Sequence, residues 1–194
     1  MAKAKKRATR GRAKSRSTGT QRDAIAVLEA DHRQVEQWFE QFQSTRSGER
    51  KQKLAQQVCQ ALTVHTRIEE EIFYPAFLEA TEEEDIHHEA EIEHAGAKRL
   101  IGEIESSGPD DDYYDARMKV LSEMIKHHVN EEEKRDGMFA KARKSDMDLK
   151  AVGEQLAERK AALMGESADE DAGSTGSRRS RNSRAQSGLT ARRA

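Results

Sequence analysis

The stretch Leu54-Ala-Gln-Gln-Val-Cys-Gln-Ala-Leu-Thr-Val-His65-Thr-Arg-Ile-Glu69-Glu-Glu-Ile-Phe-Tyr-Pro75 decides the fold. Leu54, Val58, Ala61, Ile68 and Ile72 recur at the spacing of one helix face, and a position of that stripe where a leucine is expected holds His65 instead. One turn later comes Glu69, on the same face. Three further stripes repeat the pattern. Leu28, His32, Val35, Phe39 and Phe42 form one; Ala90, His94, Ala97, Ile101 and Ile104 form another; Met118, Leu121, Ile125 and His128 form the last. His128 is followed one turn on by Glu132, so two helices carry His-x-x-x-Glu. Four imidazoles and two carboxylates directed into one apolar core need a partner that neutralises and bonds them. A pair of metal ions meets that need.

Helix signals flank each stripe. Asp23 is placed to cap a first helix that runs to about Gln43, and Ser44 to Gly48 is a turn-rich break. A second helix starts near Glu49, and Pro75 is expected to kink or end it. Thr81 with Glu84 fits a capping box opening a third helix that reaches Ser106. Gly108-Pro109 breaks the chain, Asp110 to Asp112 put negative charge at the start of a fourth helix, and that helix is expected to continue to Lys144. Leu149, Val152, Leu156 and Leu163 mark a shorter segment ending at Gly165. Short links make neighbouring helices antiparallel, so the expected fold is all-α: an up-down-up-down four-helix bundle with a short extra C-terminal helix.

The 194 residues hold 34 Lys or Arg against 36 Asp or Glu, which conceals a sharp division. Residues 1–22 carry nine basic residues and no acid, and residues 173–194 carry six arginines and no acid. All 36 acids therefore fall between, against the remaining 19 basic residues, a formal charge of −17. Both ends are rich in Ser, Thr, Gly and Ala with little to bury, so disordered basic tails are expected. The domains read as a basic arm over 1–22, the bundle over 23–145, an accessory helix over 146–165 and a Ser/Arg-rich tail over 166–194. The single Cys59 leaves no internal disulfide and reads as a small buried hydrophobe. No apolar run suits a membrane span or a secretory leader, so a cytoplasmic protein is expected.

The marks Asp31-His32, His65-Thr-Arg-Ile-Glu69-Glu70 with Ile-Phe-Tyr-Pro75, Glu93-His94 and His128-Val-Asn-Glu-Glu132-Glu133 occur in one order at set separations. In them the chain resembles the hemerythrin-like, or HHE cation-binding, family over roughly residues 23 to 145. The resemblance implies a non-haem di-iron centre inside a four-helix bundle, with His32, His65, Glu69, His94, His128 and Glu132 as its ligands. Oxygen-carrying members of that family place a second histidine where this chain has Ala90, and use a His-x-x-x-x-Asp pair in the last helix, where this chain offers Glu132 and then Glu133. The site is therefore similar to the wider bacterial HHE group. His87, two turns before His94, reads either as a seventh donor or as a solvated helix-start histidine; His88 and His127 fall off the stripe. Tyr74, Tyr113 and Tyr114 read as exposed helix-end residues, with reach to the site as the alternative.

Imidazole with carboxylate suits iron, and the chain has no cysteine cluster for a zinc site. If both ions are octahedral, with two bridging carboxylates and one oxo or hydroxo bridge, about two of some twelve coordination positions stay open for dioxygen, peroxide or nitric oxide. The leading expectation is a protein that binds or senses such a molecule, with a stress response as one setting. A di-iron enzyme that consumes peroxide, or oxidises and stores ferrous iron, is the second class. A nucleic-acid-associated scaffold using its basic tails is the third; without interleaved aromatics, that contact would be weak and indifferent to sequence.

Overall fold

Asp23 caps the first helix as expected: its Oδ1 accepts the Ala26 N–H at 2.8 Å, and α1 runs Ala24–Ser44. The computed structural model describes residues 22–165; nearly all of the two basic tails lies outside the described residues. Ser47 caps α2, Gly48–Ile68, by accepting the Arg50 N–H at 3.3 Å. A π-helical turn, Glu69–Phe73, joins α2 to α3, Tyr74–Thr81. α4 spans Glu84–Glu105, α5 Tyr114–Glu133 and α6 Met138–Ala142. The last described helix, α7, covers residues 149–165, and Asp148 Oδ1 accepts the Ala151 N–H at its start. The four long rods pack in a ring in which α1 touches α2 and α5, and α4 touches α2 and α5. The expected all-α bundle with its extra C-terminal helix is what forms.

Three local expectations are corrected. Pro75 does not end the second rod: the π turn lies just before it and the chain stays helical to Thr81. Thr81 belongs to the end of α3, where its hydroxyl donates to the Phe77 carbonyl at 2.7 Å; it opens no capping box, and α4 starts without a side-chain cap. Between them Glu82 turns the chain in the left-handed region at φ 59°. The fourth rod stops at Glu133 instead of Lys144, since Lys134 is extended and the chain folds back at Gly137. A Cβ at Gly137 would lie 2.2 Å from the Glu131 carbonyl oxygen and 2.7 Å from that of Glu132, so only glycine fits against the end of α5.

Apolar packing falls into two blocks. One holds Val35, Phe39, Phe42, Val58, Ile101 and Leu121 among others. The second holds Ile25, Leu28, Ile68, Phe73, Phe77 and Phe139, together with Val152, Leu156 and Leu163 of α7. Both blocks exclude water from their side chains, which supplies most of the drive to fold. The inward histidines and glutamates of all four rods are also buried. Cys59 sits in the first block, buried as its stripe position suggested.

Candidate metal centre

All six sequence-predicted donors converge. His32 and His65 face each other with their Nε2 atoms 3.0 Å apart, and His94 and His128 do the same at 3.3 Å. Glu69 and Glu132 link the two pairs. Glu69 Oε2 lies 3.2 Å from His65 Nε2 and 3.4 Å from His94 Nε2; Glu132 Oε2 lies 3.4 Å from His32 Nε2 and 3.6 Å from His128 Nε2. Each carboxylate thus touches one imidazole of either pair. The result is two overlapping donor groups, His32, His65, Glu69 and Glu132, and Glu69, His94 and His128, within each of which the donor atoms lie within 4.8 Å of one another.

The outward faces of the rings show why the sequence marks come as doublets. Glu133 Oε1 lies 2.8 Å from His32 Nδ1, Glu70 Oε1 3.0 Å from His94 Nδ1, and Glu93 Oε2 2.7 Å from His128 Nδ1. Asp31 faces His65 Nδ1 at 3.6 Å, an ion-pair distance rather than a hydrogen bond. Every one of these acids neighbours a donor on a different rod, as Asp31 precedes His32 and Glu70 follows Glu69. When Nδ1–H donates outward to a carboxylate, the Nε2 lone pair is left pointing inward, the tautomer that a metal ligand needs. A cationic or imidazole group then backs each acid. Arg33 contacts Glu133, Lys98 reaches Glu70 at 2.5 Å, Lys160 contacts Asp31, and His127 Nε2 lies 3.2 Å from Glu93. Glu133, whose role the sequence left open, therefore sits on the outward nitrogen of His32.

Electrostatics inside the centre are those of a site short of positive charge. Burial alone disfavours an imidazolium at His65, but Glu69 and Asp31 more than reverse this and raise its pKa to about 10. His32 goes the other way, lowered because burial outweighs its contact with Glu133. Burial raises Glu132 to about 8, with repulsion from Glu69 adding to it. At Glu69 burial also favours the neutral acid, yet His65 and His94 overcome it and hold the carboxyl well below its usual range. Both carboxylate oxygens of Glu69 and of Glu132 are buried without a hydrogen-bond partner. Orphaned acceptors at the focus of four imidazoles are what a cation would satisfy, so the residues present fit a metal.

Tyr74 corrects another expectation. It is fully buried, its ring stacks on His94, and its hydroxyl lies 3.2 Å from His94 Nε2. The π turn is the cause. In an α-helix Tyr74 would point about 140° away from Glu69, but in a turn closed by i→i+5 bonds five residues make roughly one revolution, and both face inward. The same turn leaves Ile72 only partly buried and puts Phe73 inside in its place. Tyr114 is buried too, in the other apolar block, whereas Tyr113 is exposed as expected. His87 joins neither donor group; it meets the Tyr74 ring edge-on and sits beside His88 and Glu91 at the start of α4. Phe139 stacks on His32 at 5.8 Å, a contact made possible by the fold-back at Gly137.

Comparison with known proteins agrees with this geometry. The family model described as the hemerythrin HHE cation binding domain matches residues 23–140. A crystal structure of a hemerythrin HHE cation binding domain-containing protein from Mycobacterium kansasii superposes with a TM-score of 0.62 at 24% identity, covering 74% of this chain and 88% of that one, a likeness of fold. A protein of Nostoc sp. (strain PCC 7120) described as a DNA nickase is 29% identical over 107 residues, 55% of this chain. The match spans 30% of that relative's length.

Proposed function

The chain belongs to the hemerythrin HHE cation binding domain family, and from that membership and the geometry of its centre we propose a non-haem di-iron protein that binds or senses dioxygen, peroxide or nitric oxide. In this reading His32, His65, His94 and His128, with Glu69 and Glu132, would hold the iron. The observation that carries it is the pairing of four inward Nε2 atoms about two carboxylates with no other partner. A bound iron pair would supply the reversible small-molecule binding and redox chemistry that these side chains lack. The chain's own part is to fix each imidazole by its outer acid, to keep water out with two apolar blocks, and to present the Tyr74 hydroxyl beside His94 as a proton donor. A stress response is one setting for such binding.

Metal analysis and the absorption spectrum of the purified full-length protein test the reading. About two irons per chain and near-ultraviolet bands of an oxo-bridged ferric pair are expected; colourless zinc protein would overturn it. Turnover of hydrogen peroxide, or oxidation of ferrous iron, by the loaded protein would move the assignment to a di-iron enzyme.

A second reading rests on different observations: fifteen basic residues in the two acid-free ends, and the relative described as a DNA nickase. On it, the tails contact phosphate without base selection, in a way that weakens steeply with salt. A gel shift at two salt concentrations, with and without residues 1–22 and 173–194, tests it; equal mobility of DNA with both chains would end it. Among the described residues, no helix is long and apolar enough to cross a membrane.

A further inference from the structure

The helix α7 lies beyond the family match, which stops at residue 140, yet it packs into the apolar block that borders the metal centre. Val152, Leu156 and Leu163 enter the apolar block that holds Ile68, which precedes Glu69, and Phe73 at the end of the π turn that Glu69 opens. Leu156 is fully buried. At Gly153 a Cβ would lie 2.7 Å from the Ala24 backbone nitrogen and from the Arg22 carbonyl oxygen, so α7 crosses the start of α1 in direct backbone contact. That crossing fixes where the next two turns of α7 project.

Those turns present Arg159 and Lys160. Arg159 Nε bonds Glu71 Oε2 at 2.7 Å, just past the π turn's first residue. Lys160 Nζ contacts Asp31 Oδ1, and the other oxygen of Asp31 faces His65 Nδ1. The four imidazoles are thus not supported alike. For His32, His94 and His128, the group behind the outer acid comes from α1, α4 or α5, within the bundle: Arg33, Lys98 and His127. For His65 it comes from α7. The Asp31–His65 contact is also the longest of the four, and Asp31 is held on its other side by Lys160 alone among the hydrogen bonds described.

From this arrangement we infer that α7 is a working part of the metal centre, with Lys160 a positioning residue that acts through Asp31 to hold the His65 ring in its ligating orientation. The inference rests on the metal-binding reading above and deepens it. It assigns to a segment outside the family domain control over how firmly the metal is kept. Undocking of α7 would free Asp31 to swing toward solvent, let the His65 ring turn, and open the centre to metal loss.

The test measures metal release from the loaded full-length protein to an excess of a soluble chelator, alongside the melting temperature of the metal-free protein. Lys160→Met should speed release about tenfold, the low end of what outer partners of ligands are worth. Lys160→Arg, which keeps the cation, should stay within about twofold of the parent. Arg159→Met removes the neighbouring ion pair of α7, with Glu71, an acid that faces no imidazole among the described residues, and should leave release unchanged. Because Lys160 acts through Asp31, adding Lys160→Met to Asp31→Asn should give no further effect. Unaltered release from Lys160→Met, or equal acceleration by Lys160→Met and Arg159→Met, would overturn the inference and leave α7 a packing element. A parent protein that takes up no metal would fail the metal-binding reading itself, and the inference with it.

Discussion

Replacing the titrating carboxyl of Glu132 by an amide should flatten the pH dependence of the metal-free fold. Glu132 is buried without a hydrogen-bond partner, faces Glu69, and is raised to about 8, against 4.5 for an ordinary glutamate. A carboxyl whose folded pKa is raised gives its full stabilisation below about 4.5 and loses it as pH climbs through about 8. Across that window the unfolded chain has released a proton that the folded chain keeps, so stability should fall by roughly 1.4 kcal/mol per pH unit. His65 adds to this above about 6.5, where the unfolded ring is neutral while the folded ring, raised to about 10, stays charged. Urea titration of metal-stripped protein at pH 5.5, 6.5 and 7.5 reads the effect. His32, lowered by burial, works the other way up to about 6.5, so the parent should lose less than about 1.4 kcal/mol over the first interval and more than that over the second. Glu132→Gln should lose little over the first and about half the parent's loss over the second. Metal reverses the sign: binding needs both groups deprotonated, so the stabilisation by metal should grow with pH. A parent whose stability is flat or rises from 5.5 to 7.5 without metal, or a variant with the parent's slope, would refute the electrostatics drawn for the centre.

Other substitutions probe separate parts. His65→Ala and Glu69→Ala should abolish metal uptake by elemental analysis, while His127→Ala, altering an exposed group behind Glu93, should keep full stoichiometry. Gly137→Ala must push a methyl into the Glu131 and Glu132 carbonyls, so it should cost on the order of 2–3 kcal/mol in denaturant unfolding and loosen metal binding beside it. Burial pushes the Cys59 thiol up to about 12, so it should resist a thiol reagent until the protein unfolds. Rapid labelling of the native chain would show that its block is open.

Much of this was legible in the sequence because two periodicities are strong there. The stripes of α1 and α4 are buried at every position named for them, and the histidine that interrupts each lies in the candidate centre. What escaped depends on contacts between rods. Asp31, Glu70 and Glu93 stand next to donors in the chain, where an acid usually means a solvated face, and only packing brings each to an imidazole of another helix. The inward turn of Tyr74 follows from a π turn, whose wider hydrogen bonding leaves no periodic trace in five residues. Asp136-Gly137 did carry a usable signal, a turn dipeptide inside an assumed helix, and it marks where the fourth rod ends.

The division of the interior into two apolar blocks has a consequence for how the molecule breathes. Metal held by these side chains would join the four rods at the level between the blocks, and opening either half would strain that join. Without metal, both halves are left with unpaired carboxylates at their shared border, so each can open with less regard to the other. On that account the two halves would act as a single cooperative unit only in the metal-bound protein.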